Sequence, residues 1–168
     1  MTIKISKPFT IWLIGPSASG KSTIAKELYK KIQNQVSKLI IIDGDNIRDL
    51  FDNKYGYDAI SRSKVTKRYI KLVKWLQNFE ICSIVSVISP FEKDRLECKE
   101  SLIGYRQVYL KCSMEKRLSR EYKMNKDFYN LSTETQTCLR IIMTILETSH
   151  LIEKDDQYSP RKLIEIYT

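Results

Sequence analysis

The sequence predicts an α/β fold in which one parallel β-sheet is flanked by helices on both faces. Strand-like segments alternate along the chain with segments that have helical periodicity. The strand-like segments are uninterrupted apolar runs, which is typical of strands buried on both sides in a parallel sheet. A glycine-containing loop links the first of these runs to the first helical segment.

The individual elements follow from local patterns. The helix predicted over 21–32 places Ile24, Leu28 and Ile32 at fourfold spacing, which gives it one apolar face. The longer helix predicted over 61–79 has a similar face, and the third strand stops at Ser89-Pro90. The predicted strands cover residues 9–14, 39–42, 81–88, 107–111 and 163–167. The predicted helices cover residues 21–32, 47–51, 61–79, 94–102, 114–122 and 132–149.

Length and composition indicate one globular domain. The 168 residues, 42% hydrophobic and 29% charged, predict a single domain over 1–168. With 29 Lys+Arg against 20 Asp+Glu, the net charge is +9, which favours an anionic partner such as nucleic acid, a membrane surface or a phosphorylated small molecule. No signal peptide or membrane span is visible in the sequence, so we expect a cytoplasmic protein without a membrane partner.

The histidine and the cysteines argue against a zinc site. His150 is the single histidine, and we expect it to be an ordinary residue near a helix end. The four cysteines show no Cys-x-x-Cys spacing, and Cys82 and Cys112 lie in apolar runs typical of a core. A reduced, cytosolic protein is therefore the simplest expectation.

Residues 15–22 carry the most specific motif. The run Gly15-Pro16-Ser17-Ala18-Ser19-Gly20-Lys21-Ser22 fits the pattern GxxxxGK[ST] without a gap. Such a loop turns its backbone N–H groups inward around phosphate oxygens, and the following helix adds its positive end. Lys21 can reach the β- and γ-phosphates, and the Ser22 hydroxyl can bind Mg²⁺. The residues predicted to bind ATP here are Gly15, Ser17, Ala18, Ser19, Gly20, Lys21, Ser22 and Thr23.

An acidic stretch, Asp43-Gly44-Asp45-Asn46, follows the second predicted strand and is expected to form a loop. In open parallel sheets, ligands lie at the carboxyl ends of the strands. One carboxylate can help to hold the metal, and the other can orient or deprotonate an attacking hydroxyl. We favour Asp43 nearer the metal and Asp45 on the hydroxyl. The alternative interpretation of the stretch is a helix N-cap.

Further motifs are spread over residues 9–123. In chain order the motifs are Gly15 to Thr23, Ile42-Asp43-Gly44-Asp45-Asn46-Ile47-Arg48, Gly56-Tyr57, Ser61-Arg62, Lys67-Arg68, Ile88-Ser89-Pro90-Phe91, Asp94-Arg95, and Arg120 with Lys123. Together they resemble the adenylylsulfate (APS) kinase family, small kinases that transfer the γ-phosphate of ATP to the ribose 3′-hydroxyl of adenylylsulfate. The resemblance is weak after residue 123, where Tyr158-Ser159-Pro160 is similar to the family's Tyr-Glu-x-Pro. It implies a P-loop NTPase fold of the nucleoside-kinase type.

The resemblance also implies roles for individual side chains. Tyr57 would stack on the acceptor base, and Arg120 would lie over the adenine or the phosphates of ATP. Arg48, Arg62 and Lys123 would hold phosphate- or sulfate-like oxygens of the acceptor. The implied acceptor-binding residues are Asp45, Asn46, Arg48, Tyr57, Arg62, Ile88, Ser89 and Lys123, and the catalytic residues are Lys21, Asp43, Asp45 and Ser89. Family members are often dimers, so the resemblance also raises a homodimer as an expectation.

Three of these roles have plainer alternatives. Ser89 would touch the acceptor, and the matching serine is a phosphoserine in some bacterial members, but a simple strand-ending turn before Pro90 explains it as well. For Arg62 and Lys67 the alternative is a solvated helix face. The polar segment 123–133 fits either a mobile lid or an ordinary surface loop.

The acceptor pocket departs from the family pattern. The family's Glu-Asn-Ile-Arg-Arg is here Lys64-Val65-Thr66-Lys67-Arg68, so a valine replaces an asparagine that contacts the acceptor. Two acceptors therefore stay open, adenylylsulfate and cytidine diphosphoramidate, the latter in bacterial capsule biosynthesis. Another small-molecule kinase, for a sugar or a nucleoside, is less favoured. A nucleotide-responsive nucleic-acid-binding protein is the hypothesis of a different class; with no nucleic-acid-binding motif in the chain, we expect no nucleic-acid partner.

Overall fold

The computed structural model describes residues 7–50, 56–123 and 164–167, the last of these and 121–123 by their backbone alone. The strands are β1 (Thr10–Ile14), β2 (Leu39–Asp43), β3 (Cys82–Val87), β4 (Tyr105–Lys111) and β5 (Ile164–Tyr167). The helices are α1 (Lys21–Ile32), α2 (Gly44–Leu50), α3 (Ala59–Gln77), α4 (Glu92–Ser101) and α5 (Met114–Lys123). The strands form one sheet in the order β2-β3-β1-β4-β5.

All strand pairs in this sheet are parallel, as the sequence predicts. The register aligns the carboxyl ends of the central strands, because Ile14 pairs with Val87 and Asp43 pairs with Ser86. The chain segments that follow β1, β2 and β3 therefore leave the sheet at one edge. In an open parallel sheet this is the edge at which ligands bind.

The core has two layers, one on each face of the sheet. Strand β1 is buried along its whole length, and its residues alternate between the layers. Ile11 and Leu13 pack with Ile24 and Leu28 of α1 in the first layer. Trp12 and Ile14 pack in the second layer with α3 residues such as Val73. This arrangement confirms the prediction of a sheet covered by helices on both faces.

The boundaries of most predicted elements differ from the observed boundaries by no more than two residues, and those of α1 are as predicted. Four elements start earlier than predicted: β4, α3 and α4 begin two residues earlier, and α2 begins three residues earlier. Helix α2 begins at Gly44 rather than 47, because an oxygen of Asp43 accepts a hydrogen bond from the Asp45 backbone N–H at 3.1 Å; the acidic stretch is thus a strand-to-helix junction and not a loop. Helix α3 begins at Ala59 rather than 61, because Asp58 caps it through Ser61 N at 3.0 Å.

Several predictions lie outside the described residues. They concern the helix over 132–149, the segment 124–133, the tail motif at 158–160, Cys138 and His150. Among the helices that the structure describes, none combines the length and the apolar character needed to cross a membrane.

Candidate active site

The loop between β1 and α1 is held in a backbone conformation that only a few residues tolerate. Gly15, Ala18 and Gly20 have φ values of 155°, 55° and 92°. A Cβ atom at position 15 would lie 2.7 Å from the carbonyl oxygen of Leu110, so the loop packs directly against β4. The carbonyl of Gly20 accepts the first helical hydrogen bond of α1, from Ile24 N at 3.0 Å. The loop thus ends at a helix N-terminus, where backbone N–H groups and the helix dipole favour an anion.

Lys21 closes this loop from one side. Its Nζ donates to the carbonyl oxygen of Pro16 at 2.7 Å. Burial lowers its pKa from 10.5 to about 8, an effect that the negative charges of Asp45 and Asp43 oppose. A half-buried ammonium beside two carboxylates is suited to an anionic ligand that carries additional charge.

Ser22, Asp43 and Ser86 form an oxygen cluster next to the loop. The Ser22 hydroxyl donates to Asp43 Oδ2 at 2.6 Å, and the Oγ atoms of Ser22 and Ser86 are 3.5 Å apart. The other oxygen of Asp43 accepts from Asp45 N, so both of its oxygens are engaged. Asp43 thus caps the start of α2 through one oxygen and contacts Ser22 through the other. In the described part of the chain, no group of three or more His, Cys, Asp and Glu side chains could by itself hold a metal.

Tyr69 of α3 is a site residue that sequence reasoning missed. Its hydroxyl donates to the carbonyl oxygen of Gly44 at 3.0 Å, and burial raises its pKa to about 12. A Cβ atom at Gly44 would lie 3.3 Å from the carbonyl oxygen of Ser86, so the start of α2 fits closely between β3 and Tyr69. The sequence signal was only the apolar face of α3, which identified Tyr69 as a core residue.

Arg48 of α2 comes together with Tyr57 and Arg62, which lie at and just before the start of α3. The guanidinium carbons of Arg48 and Arg62 lie 4.4 and 5.6 Å from the centroid of the Tyr57 ring. Arg62 Nε also donates to the carbonyl oxygen of Tyr57 at 2.7 Å, and Arg48 donates to that of Gly56 at 3.3 Å. The Tyr57 side chain is 71% exposed, so this charged aromatic cluster is open to a ligand.

Ser89 follows β3 directly and has an unusual environment. It is 4% exposed, has a φ of 39°, and its hydroxyl finds no hydrogen-bond partner among the residues that the structure describes. Its neighbour Ile88 is partly exposed. A buried hydroxyl without a partner at the carboxyl edge of the sheet is a candidate contact for a ligand.

The remaining predicted site residues are distributed around the loop. Arg120 of α5 donates to the carbonyl oxygen of Ala18 at 3.3 Å and to Cys112 Sγ at 3.4 Å, so it lies against the phosphate loop. Asn46 is exposed on α2. Lys67 lies 3.9 Å from Glu97 on the surface, which fits its plainer interpretation as a helix-face residue. The side chain of Lys123 lies outside the described residues.

Comparison with known proteins identifies the family. A protein-family model described as adenylylsulphate kinase matches residues 7–137. The chain belongs to the adenylylsulfate kinase family. Members of this family are phosphate-loop kinases, and the chain is accordingly a phosphotransferase that acts on a hydroxyl group.

Two curated relatives of the family carry different names. Cytidine diphosphoramidate kinase of Campylobacter jejuni is 31% identical over 132 residues, which is 75% of this chain and 77% of the relative. The probable adenylyl-sulfate kinase of Pyrococcus abyssi is 35% identical over 115 residues, 68% of this chain and 66% of the relative. Further adenylyl-sulfate kinases, such as that of Thermodesulfovibrio yellowstonii, are matched over little more than half of their length.

The fold is also that of the family. The APS kinase CysC of Mycobacterium tuberculosis, solved in complex with AMPPNP and APS, superposes with a TM-score of 0.70 at 18% identity. The match covers 84% of this chain and 98% of that one. This similarity confirms the predicted P-loop kinase fold.

Proposed function

We propose that this chain transfers the γ-phosphoryl group of ATP to the ribose 3′-hydroxyl of a small activated nucleotide. The observation that carries the proposal is that the short helix α2 connects two groups of residues. At its start, Asp43 accepts a hydrogen bond from Ser22 of the phosphate loop, and near its end Arg48 lies over the Tyr57 ring that Arg62 also contacts. Phosphoryl transfer depends on positioning and charge neutralisation, and this arrangement supplies both.

The donor side is suited to the triphosphate of ATP. The loop presents backbone N–H groups at the start of α1, and Lys21 adds an ammonium group. Burial of this ammonium group costs free energy, and its attraction to phosphate oxygens would offset that cost. Arg120 lies against Ala18, close enough to the loop to contact a bound nucleotide. Apart from Arg120, the residues that would hold the triphosphate are therefore local and continuous in sequence.

The oxygen cluster fits a magnesium ion. A hydroxyl and a carboxylate are hard oxygen ligands, and Ser22 Oγ and Asp43 Oδ2 are 2.6 Å apart at the end of the phosphate loop. These two residues would hold the ion directly or through its water molecules. The ion would supply charge neutralisation at the phosphates.

Asp45 is the better candidate for the acceptor hydroxyl. Both oxygens of Asp43 are engaged, by Ser22 and by the Asp45 N–H, whereas Asp45 is exposed on the same short helix as Arg48. Asp45 would accept the hydrogen bond of the 3′-hydroxyl, orient its oxygen toward the γ-phosphorus and take its proton during transfer. This is the assignment that the sequence favours.

The acceptor side would bind the remainder of the nucleotide. The exposed Tyr57 ring can stack on a base, and the two guanidinium groups beside it can hold anionic oxygens. The Ser89 hydroxyl, buried and without a described partner, would accept or donate one further hydrogen bond. Ile88 would provide an apolar contact beside it.

Two acceptors fit this description, adenylylsulfate and cytidine diphosphoramidate. The second is favoured by one observation: Val65 packs against the core layer of α3 and offers no hydrogen bond where the family has an asparagine. The Campylobacter jejuni relative, named for that acceptor, is also matched over 77% of its length. A pocket without this hydrogen-bonding side chain selects less strongly for a base that needs a hydrogen bond at that point.

An ADP-release assay with each acceptor tests the proposal. We expect magnesium- and ATP-dependent ADP release that requires one of the two acceptors and yields equal amounts of ADP and phosphorylated acceptor. Turnover with neither acceptor would exclude the proposed function. The resemblance further supports a homodimer, which light scattering coupled to gel filtration tests.

A further inference from the structure

The turn after β3 combines two unfavourable features. Ser89 lies in the left-handed region of backbone conformations at a φ of 39°, which costs free energy for a residue with a side chain. Its hydroxyl is buried without a described partner. A turn of this kind keeps its shape only when neighbouring contacts fix it.

Arg95 provides such contacts from the first turn of α4. Its Nη1 donates to the carbonyl oxygen of Ser89 at 3.1 Å and to that of Pro90 at 2.7 Å. A charged donor that bridges two successive carbonyl groups fixes their relative orientation more firmly than a neutral one. The Arg95 N–H in addition donates to the carbonyl oxygen of Phe91 at 3.2 Å, which starts α4 directly after the turn.

Asp94 links the same helix to the start of α3. Its side chain is 2% exposed, and its Oδ1 accepts a hydrogen bond from the Ser63 hydroxyl at 2.9 Å. Ser63 is next to Arg62, which holds the carbonyl oxygen of Tyr57. Two adjacent residues of α4 therefore hold two separate parts of the acceptor side, the Ser89 turn and the Tyr57–Arg62 segment.

We infer that Arg95 is a positioning residue for the acceptor. Through its two carbonyl contacts it fixes Ser89 in the strained conformation that the acceptor meets, and Asp94 keeps this turn in register with Tyr57 and Arg62. The inference rests on the proposed function and extends it to a residue that contacts no reacting atom.

The substitution Arg95→Met, with the exposed Lys99→Met on the same helix as the matched control, tests the inference. We expect Arg95→Met to raise the KM for the acceptor roughly tenfold, because small displacements of positioning groups reduce productive binding. The KM for ATP should stay within about twofold of the wild-type value, since the described side-chain hydrogen bonds of Arg95 go to the Ser89 turn and not to the phosphate loop. Arg95→Lys should restore part of the loss, because an ammonium can reach one carbonyl.

Hydrogen exchange of the peptide over 86–91 provides a second readout. We expect faster exchange in Arg95→Met than in the wild-type enzyme or in Lys99→Met. Equal increases of both KM values, or unchanged exchange together with an unchanged acceptor KM, would overturn the inference. Failure of the wild-type enzyme to phosphorylate either acceptor would instead remove the proposed function, and with it the acceptor role of Arg95. The two failures are thus distinguished by the wild-type assay.

Discussion

The proposed donor side and the proposed acceptor side of the candidate active site are built in different ways. The donor side is one continuous stretch, residues 15–23, whose shape depends on backbone conformation and on glycines at positive φ. The acceptor side is assembled from three separate segments of the chain. They are α2 with Arg48, the segment over 57–62 that leads into α3, and the turn after β3 with Ser89.

This difference indicates how the family can change its acceptor while it keeps its donor. A phosphate cradle made of backbone N–H groups tolerates few substitutions, because each φ value depends on the residue. An acceptor pocket made of side chains that hold one another can change one contact at a time. The resemblance implies such a change at position 65, where a valine that packs against the core replaces an asparagine. Substitutions on the donor side should therefore abolish activity, and substitutions on the acceptor side should alter substrate preference.

The largest effect is expected for Lys21→Ala. Loss of the ammonium that neutralises the phosphates should lower kcat/KM roughly a thousandfold, since a preorganised charge at the reacting group is worth that much. Steady-state ADP release measures the effect, with circular dichroism to show that the fold is retained. The control is Lys26→Ala, which changes an exposed lysine on the same helix. Comparable losses in both variants would argue against a special role for Lys21.

Asp45→Asn should lower kcat roughly a hundredfold, as expected for loss of a general base. Its affinity for Mg-ATP, measured by calorimetry, should change little, because the assignment puts Asp45 on the acceptor hydroxyl. Asp43→Asn is the matched comparison and should weaken Mg-ATP binding. If Asp45→Asn loses nucleotide affinity and Asp43→Asn does not, the two roles are reversed.

Tyr57→Leu probes the acceptor side alone. Loss of aromatic stacking on the acceptor base should raise the acceptor KM roughly tenfold, in line with the stacking energy of one base on one ring. The KM for ATP should stay unchanged, and Tyr57→Phe, which keeps the ring, should behave like the wild-type enzyme. An effect of Tyr57→Leu on the KM for ATP would show that the two sides are not separate.

The donor side was also the part that the sequence predicted best. The motif at 15–22 specifies a local backbone shape, and the contacts of Lys21 and Ser22 follow from that shape. The fold was predictable for a related reason, because alternating apolar strands and amphipathic helices leave few arrangements. Both kinds of signal are local or periodic.

For the acceptor side, the sequence predicted which residues belong to it but not how they are arranged. Arg48, Tyr57 and Arg62 were identified through a resemblance, but their mutual stacking depends on how α2 and α3 meet in three dimensions. The contact of Tyr69 with Gly44 joins a side chain that the sequence indicates only as a core residue to a backbone carbonyl 25 residues away. A tertiary contact of this kind leaves no local pattern.

The pH dependence tests the charge of Lys21. The pKa of Lys21 is lowered to about 8, so its ammonium group loses its proton as the pH rises from 7 to 9. Because only the charged form neutralises phosphate, kcat/KM for ATP should fall roughly tenfold over this range. The same group should make the fold more stable as the pH rises from about 8 to its unfolded value of 10.5, because the unfolded chain then binds more protons. The contribution of Lys21 to stability, taken as the difference between the wild-type protein and Lys21→Ala in urea unfolding, should therefore become more favourable as activity falls. A parallel decline of both would argue against a lowered pKa of Lys21.

Tyr69→Phe should have the smallest effect. Loss of the hydrogen bond to Gly44 removes about 1 kcal/mol of stabilisation and loosens the start of α2. We expect a decrease in kcat of roughly threefold to fivefold with an unchanged KM for ATP, because Asp45 would be held less firmly. Tyr29→Phe, on the opposite face of the sheet, is the control and should be silent. A kcat equal to that of the control would limit Tyr69 to a structural role.

The transfer itself is tested most directly by phosphorus NMR of the reaction products. The enzyme is incubated with Mg-ATP and either adenylylsulfate or cytidine diphosphoramidate, and the position of the new phosphate is determined. We expect that one acceptor carries a phosphate monoester on its ribose 3′-oxygen, formed in an amount equal to that of ADP. A phosphate on another atom, or ADP and inorganic phosphate with both acceptors unchanged, would contradict transfer to the ribose 3′-hydroxyl.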